Sequence, residues 1–244
     1  METFEKWFLW FMLYSVIGWV YETILCSVKE HRFINRGFLN GPYCPIYGVG
    51  AVINLLVLGN LTNPALLFLC GALLDCTLEY LTSWGMEVLF HARWWDYSDK
   101  PLNINGRVCM LGAVAFGAFT TVLVLIIHPF MTEELSFISD KIRDMLFYIS
   151  ATLFIADSVY TFIGFSPFNK LLGNIVKPSL AGMCRPEELN REAESLRLIL
   201  NSQIRRMLKA FPALKSTRYD SVVDRLRTHI ADLEQKRREL FGKK

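Results

Sequence analysis

A long apolar stretch without a basic residue runs from Pro64 to Phe90 and reads PALLFLCGALLDCTLEYLTSWGMEVLF. A helix of this length rises about 40 Å at 1.5 Å per residue, which exceeds the ~30 Å hydrocarbon core of a bilayer. Asp75 and Glu79 lie well inside the stretch, where a carboxylate facing lipid costs a few kcal/mol. The sequence therefore predicts a membrane-spanning helix, tilted or projecting, whose acidic face points away from lipid.

Four other apolar runs have a length suited to crossing a bilayer, and they cover residues 7–27, 42–60, 108–128 and 145–165. The run over 42–60 is the weakest, because it contains Gly48, Gly50 and Asn54. Hydrophobic residues make up 52% of the chain, which excludes a disordered protein and a wholly soluble globule. We therefore predict an all-α polytopic membrane protein with five transmembrane helices in a domain of residues 1–166.

Charge is distributed unevenly along the chain. Residues 1–166 hold 9 Lys/Arg and 14 Asp/Glu, whereas residues 167–244 hold 17 Lys/Arg and 9 Asp/Glu. Basic residues resist translocation, and the five predicted spans place 23 of the 26 basic residues on one side. The N-terminus is therefore expected outside the cell and the C-terminal tail in the cytoplasm.

The tail carries a regular apolar pattern. From Leu189 to Phe211 the apolar positions step by three or four residues, and after Pro212 a similar pattern runs from Val223 to Leu240. We predict a linker over 167–185 and a cytoplasmic helical hairpin over 186–244. The alternatives are a coiled coil that makes a homo-oligomer and a basic surface lying on anionic lipid headgroups. A nucleic-acid partner is not expected, because basic residues commonly follow a transmembrane exit.

Cysteine spacing gives no sign of a metal site or a disulfide framework. The chain contains no CxxC pair and no histidine at metal-ligand spacing. We interpret the six cysteines as reduced packing residues: Cys26, Cys44, Cys70, Cys76, Cys109 and Cys184. The sequence identifies neither a cofactor nor a metal.

Four acidic residues lie within the predicted spans: Glu22, Asp75, Glu79 and Asp157. The rise per residue places all four between the membrane midplane and the cytoplasmic surface. Three helices delivering acids to one depth indicate a polar cavity open to the cytoplasm, which we take as the candidate substrate-binding site. The alternative is structural acids that are protonated or paired with arginine.

Two cytoplasmic segments add candidate polar groups. Residues 40–48 carry two prolines between glycines, which favours an irregular or re-entrant start to the second span. The loop before the fourth span contributes Asp96, Asn103, Asn105 and Arg107 as the cavity rim. Arg107 is the basic residue expected to reach the buried acids.

Several of these motifs together resemble a known family. They are Gly18-Trp19-Val20-Tyr21-Glu22, the segment from Gly37 to Gly48 (GFLNGPYCPIYG), Glu79, Trp95-Asp96-Tyr97-Ser98 and Pro101-Leu102-Asn103-Ile104-Asn105-Gly106. Over roughly residues 5–165 the chain resembles the bacterial inner-membrane family labelled putative type IV ABC-transporter permease (CmpB-like). The resemblance implies substrate translocation and a separate ATPase subunit, since this sequence contains no GxxxxGK[ST] phosphate-binding loop.

Three functions fit the sequence. The first is a transporter or permease that moves a cation or a small cationic or zwitterionic solute through the acidic cavity. The second is a membrane scaffold or sensor that acts through its tail. The third is an intramembrane enzyme on a lipid or isoprenoid phosphate, with Mg²⁺ on the acids and phosphate on Arg107. No catalytic residue is assigned, because the chain lacks a recognised carboxylate spacing or a nucleophile arrangement.

Overall fold

The computed structural model describes residues 3–135, 137–165, 168, 202–217, 220–221 and 223–228. These residues are predominantly helical. The elements in chain order are α1 (Thr3–Lys29), α2 (Pro45–Leu58), α3 (Pro64–Phe90), β1 (Ala92–Arg93), α4 (Met110–Val122), a π-helix (Leu123–Ile127), α5 (His128–Leu135), α6 (Asp140–Phe165), α7 (Ser202–Ala210) and β2 (Lys215–Ser216).

Among these residues, four helices are long and apolar enough to cross a membrane: Phe4–Lys29, Pro64–Phe90, Met110–Glu133 and Asp140–Phe165. Their large apolar side chains point outward; Leu73 is 71% exposed and Ile163 is 69% exposed. Such surfaces suit lipid, which does not penalise exposed apolar groups. The chain is therefore a helical membrane protein, and α3 has the predicted bounds of 64–90.

The predicted second span is a shorter helix than expected. In place of 42–60, α2 covers the 14 residues Pro45–Leu58, about 21 Å, and residues 30–44 before it form no helix. Pro45 occupies the first helical turn, where a missing N–H is tolerated, and Gly59 follows the helix. The irregular start predicted for this segment is present, but α2 alone does not match the thickness of a hydrocarbon core.

The fold divides into two units, and the first comprises Met1–Gly85 and Asp96–Tyr160. In it α2 packs antiparallel to α1, because the backbone N–H of Cys44 donates to Ser15 O at 2.8 Å while Leu58 packs in one core with Trp10. Glycine permits this close approach: a Cβ at Gly48 would lie 2.3 Å from Phe11 O. The start of α2 therefore lies beside the middle of α1.

Residues 30–44, which we call the first return segment, connect these two helices by running back along α1. The contacts on α1 step by four residues towards its N-terminus. Ser27 Oγ accepts from Ile34 N at 2.9 Å, Thr23 Oγ1 accepts from Arg36 N at 3.4 Å, and Trp19 Nε1 donates to Asn35 Oδ1 at 2.6 Å. Because residues four apart share a helix face, one stripe of α1 holds the whole segment.

Residues 96–109, which we call the second return segment, precede α4 and close on themselves. Tyr97 N donates to Gly106 O at 2.8 Å, and Ile104 forms an antiparallel bridge with Val108. Asn105 and Gly106 have positive φ angles of 53° and 67°, as a tight turn requires. From here α4, the π-helix and α5 run as one rod that packs on α3, where a Cβ at Gly71 would meet Thr120 at 2.4 Å.

The second unit comprises Met86–Trp95 and Thr161–Lys244. In its described residues, β1 pairs antiparallel with β2, and Trp94 contacts the rings of Phe90, Phe165 and Phe211. Helix α7 ends at Ala210, before Pro212, and buries Ile204 and Met207. The predicted linker 167–185 lies outside the described residues except Phe168. The same holds for residues 186–201 and 229–244 of the predicted hairpin, so the hairpin stays a prediction.

Candidate functional site

Asp157 of α6 is held by the first return segment. Its Oδ1 accepts from Asn40 N at 3.2 Å and from Asn40 Nδ2 at 2.7 Å. Its Oδ2 accepts from Gly41 N at 2.8 Å and from the Tyr43 hydroxyl at 2.7 Å. Each oxygen therefore receives two hydrogen bonds, and this carboxylate fixes the backbone of the segment in place.

Asp75 of α3 connects three helices. Both of its oxygens accept from Asn54 Nδ2 of α2, at 2.9 and 3.0 Å, and Oδ2 also accepts from Thr120 Oγ1 of α4 at 2.9 Å. Asn54 and Thr120 are 2% and 0% exposed. Because buried polar groups are costly without partners, this arrangement joins α2, α3 and α4.

Glu22 of α1 forms an ion pair that was not predicted. Its Oε2 lies 3.6 Å from Arg36 Nε of the first return segment, and its Oε1 accepts from the Tyr47 hydroxyl at 2.6 Å. The countercharge of this acid is therefore Arg36 and not the predicted Arg107. Arg36 comes close because the return segment folds back along α1, which no local sequence pattern reveals.

Glu79 differs from the other three acids in its hydrogen bonds. Its Oε1 accepts one long bond, 3.3 Å, from the Tyr97 hydroxyl, whereas its buried Oε2 has no hydrogen-bond partner in the part of the chain that the structure describes. The residue is only 8% exposed. Oε2 lies 3.9 Å from the position that a Cβ would take at Gly112, in the first turn of α4. The buried Oε2 of Glu79 thus lies near the first turn of α4, beside Gly112, which has no side chain.

Tyr97 links two of the acids. Burial raises the pKa of its hydroxyl above the ordinary value, and the negative charges of Glu79 and Glu22 raise this pKa further. Both carboxylates are therefore close enough to Tyr97 to act on it electrostatically. This brings Glu22 and Glu79 into one neighbourhood, while Asp157 has a separate set of partners.

The predicted rim residues lie in the second return segment, where much of their bonding is internal. Asp96 Oδ1 accepts from Ser98 N at 3.0 Å, and Asn103 accepts from Gly106 N at 3.0 Å. Asn105 Nδ2 donates to the Tyr80 hydroxyl at 2.9 Å. The buried guanidinium of Arg107 lies 5.3 Å from the centre of the Tyr80 ring, a cation–π contact.

The residues that the sequence analysis missed are the donors to the acids: Arg36, Tyr43, Tyr47, Asn54, Tyr97 and Thr120. One signal was available. The motif Asn-Gly-x-x-Cys occurs at 40–44 and again at 105–109, and each cysteine is the residue immediately before a helix. This repeat marks the two places where a return segment brings polar groups to the acids.

Within the described residues, no group of three His, Cys, Asp or Glu side chains could hold a metal ion. Five cysteines of that part of the chain carry free thiols, with Cys44 and Cys109 buried and Cys26, Cys70 and Cys76 half-buried. Cys184 lies outside the described residues. The site is therefore built from carboxylates, tyrosine hydroxyls and amides.

These helices and their buried acids define a polytopic helical membrane protein. The family model described as "Putative ABC-transporter type IV" matches residues 9–162, which is more than half of the chain. The chain belongs to this family, as the sequence motifs indicated. No curated protein and no solved structure matches the chain.

Proposed function

We propose that this protein is the membrane-embedded component of a transporter and that it binds a cation, or a small cationic or zwitterionic solute, at Glu79. The observation that carries the proposal is the buried Oε2 of Glu79, which has no hydrogen-bond partner among the described residues. A buried carboxylate oxygen without a donor is costly, and a bound cationic donor would relieve this cost because the attraction between opposite charges is stronger away from water.

The surroundings of Glu79 support this assignment. Gly112 leaves room beside Oε2, and the first N–H groups of α4 have no helical partners, so they suit the anionic end of a zwitterion. Glu22 adds negative charge near Glu79 and Tyr97, and the positive charge of Arg36 partly neutralises it. The residues with which we associate solute binding are therefore Glu79, Glu22 and Tyr97. Asp75 and Asp157 hold the helices and the return segment in place.

We also propose a membrane topology for the chain. The first return segment and α2 together make the second of five crossings, because the segment returns to the level of Ser15, about 18 Å from the start of α1, and α2 continues to the opposite end. Five crossings, together with the basic tail, would support an N-terminus outside and a C-terminus in the cytoplasm. A C-terminal tag should stay unlabelled by impermeant reagents on intact cells; labelling from outside would overturn this orientation.

The energy source that the family suggests is a separate ATPase subunit, which we propose as the partner on the cytoplasmic side. Co-purification from membranes with a tagged chain tests this proposal. The expected result is an ATP-hydrolysing subunit in stoichiometric amount. Its absence under conditions that preserve the transporter complex would contradict an ATP-driven mechanism.

The direct test of solute binding compares two glutamates of one helix. The full chain in lipid nanodiscs is titrated with methylammonium, guanidinium and glycine betaine while tryptophan fluorescence is recorded. Glu79→Gln should weaken binding at least tenfold, because the amide removes the charge and keeps the volume. Glu87→Gln, whose native side chain pairs with Arg93 at 3.1 Å, is the matched control and should bind like the wild type. Equal binding by both variants would favour the scaffold or sensor function.

A further inference from the structure

Gly112, in the first turn of α4, leaves one side of the Glu79 carboxyl group uncovered. A Cβ at this position would lie 3.9 Å from Glu79 Oε2, 3.8 Å from Cys109 Sγ and 3.8 Å from Phe116 Cε2. These are ordinary van der Waals distances, so an alanine side chain would fit without displacing any of the three atoms. It would nevertheless cover the side of Oε2 that faces α4. The buried oxygen is therefore open towards α4 because residue 112 has no side chain.

The fold itself does not require glycine at position 112. The residue lies within α4, so its backbone is helical and every amino acid can adopt it. Close packing does not require glycine either, in contrast to Gly117 of the same helix, where a Cβ would lie 2.6 Å from Phe68 O. Glycine also favours helix less than alanine does. What glycine provides at position 112 is close approach of a ligand to the backbone.

The atoms around this opening suit a cation that carries its own N–H groups. The three nearest side-chain atoms are a carboxyl oxygen, a thiol sulfur and a ring carbon. Hard metal cations prefer several oxygen ligands, and a thiol and a phenyl ring do not supply them. An ammonium group instead needs acceptors for its N–H groups, and Glu79 Oε2 is a strong acceptor that has no donor among the described residues.

The tight surroundings favour a primary ammonium group over larger cations. This group has the size of a methyl group and carries three N–H donors, one of which can reach Oε2 at about 2.8 Å. A quaternary ammonium group has no N–H, and its methyl groups keep the charge further from Oε2, where attraction is weaker. Guanidinium binds a carboxylate best through both oxygens, but Oε1 of Glu79 already accepts from the Tyr97 hydroxyl.

We propose that the Glu79 site is specific for a primary ammonium group and that Gly112 is the residue that determines this specificity. This specificity rests on the proposed function, since it concerns the cation that Glu79 binds. The ammonium group donates an N–H to Oε2 beside the backbone of Gly112, and Phe116 limits the size of the group that can enter. Any side chain at position 112 covers Oε2 and excludes the cation.

Pairs of probes that differ in N-methylation test this specificity. The full chain in lipid nanodiscs is titrated with methylammonium and tetramethylammonium, and then with glycine and glycine betaine, while tryptophan fluorescence is recorded. The wild type should bind methylammonium at least tenfold more tightly than tetramethylammonium. It should also bind glycine more tightly than glycine betaine, which has the same carboxylate.

Two variants change the opening in opposite directions. Gly112→Ala should weaken methylammonium binding at least tenfold, while its unfolding temperature stays at or above that of the wild type, because the added Cβ makes only ordinary contacts. Gly85→Ala is the matched control in α3, where no atom of the described residues lies within 4 Å of the added Cβ, and it should bind like the wild type. Phe116→Ala removes the ring and should strengthen tetramethylammonium binding at least tenfold.

Equal affinity of the wild type for methylammonium and tetramethylammonium would overturn the specificity, and so would wild-type methylammonium affinity in Gly112→Ala. If Gly112→Ala proves less stable than the wild type, Phe116→Ala decides the matter, because loss of stability cannot strengthen binding. Unchanged exclusion of tetramethylammonium by Phe116→Ala would then overturn the specificity.

Failure of the proposed function gives a different result. If no probe binds the wild type, or if Glu79→Gln binds methylammonium like the wild type, solute binding at Glu79 is itself refuted. If Glu79→Gln loses binding but methylated and unmethylated probes bind the wild type equally, only the specificity assigned to Gly112 is refuted.

Discussion

The two return segments share a sequence motif but differ in the hydrogen bonds that they give to buried acids. Each ends in Asn-Gly-x-x-Cys and leads into a helix, yet the first gives four hydrogen bonds to Asp157 while the second gives one long bond to Glu79. A carboxylate with every oxygen bonded stabilises the fold. A carboxylate with an oxygen left over is available to a ligand or a proton. The difference separates Asp157, which holds the first return segment, from Glu79, to which we assign solute binding.

The largest expected effect is loss of the Asp157 cluster. Asp157→Ala leaves four donors of Asn40, Gly41 and Tyr43 without their acceptor, which should cost roughly 3 kcal/mol or more of stability. Thermal unfolding of the full chain in detergent, followed by tryptophan fluorescence, measures this loss. A variant as stable as the wild type would show that Asp157 does not hold the first return segment.

The close approach of α1 and α2 provides the next largest effect. Gly48→Ala would place a Cβ 2.2 Å from Ser15 Oγ and 2.3 Å from Phe11 O, so the helices must separate at a cost of about 2 kcal/mol. Gly85→Ala is the control, because no atom of the described residues lies within 4 Å of its added Cβ. The control should be neutral or up to about 1 kcal/mol more stable, since alanine favours helix. Equal unfolding temperatures for the two variants would contradict the packing described.

A smaller effect is expected for the ion pair of Glu22. Its side chain is 27% exposed and that of Arg36 is 18% exposed, and partly solvated pairs contribute about 1 kcal/mol or less. Glu22→Gln keeps an acceptor for the Tyr47 hydroxyl, so the unfolding temperature should fall only slightly. High salt should lower the unfolding temperature of the wild type towards that of the variant. A loss of stability as large as that of Asp157→Ala would show that Glu22 has a structural role.

The smallest effect on stability is expected at Glu79. Glu79→Gln removes a buried charge and loses only one long hydrogen bond, so its stability should equal or slightly exceed that of the wild type. We compare the unfolding temperatures of Glu79→Gln and Glu87→Gln with that of the wild type, all measured without added solute. A marked loss of stability in Glu79→Gln would place Glu79 among the structural acids.

Hydropathy predicted the helical membrane class and the bounds of α3, because long apolar runs depend on local composition alone. The bounds of α2 could not be predicted in the same way, since the segment before it is irregular and its backbone bonds to a stripe of α1 that begins at Ser27. Its prolines and glycines indicated irregular structure but not where the segment goes.

The candidate site, too, could be predicted only in part from the sequence. The energetic cost of acids in a membrane identified Glu22, Asp75, Glu79 and Asp157 from the sequence. Their partners could not be identified, because Asp157 bonds to Asn40 across 117 positions and Asp75 to Thr120 across 45. Because the four acids were predicted at one depth, a single cavity was expected. The hydrogen bonds instead divide the acids into separate clusters. Which acid is left incompletely bonded depends on tertiary structure.

Carbodiimide labelling distinguishes Glu79 from Asp157, because a hydrophobic carbodiimide reacts with protonated carboxyl groups in apolar surroundings. The full chain in nanodiscs is treated with dicyclohexylcarbodiimide, and peptide mass spectrometry locates the adduct. We predict modification of Glu79, reduced by prior addition of a bound ammonium solute, and little modification of Asp157, whose oxygens all accept hydrogen bonds. Modification of Asp157 in preference to Glu79 would contradict this prediction.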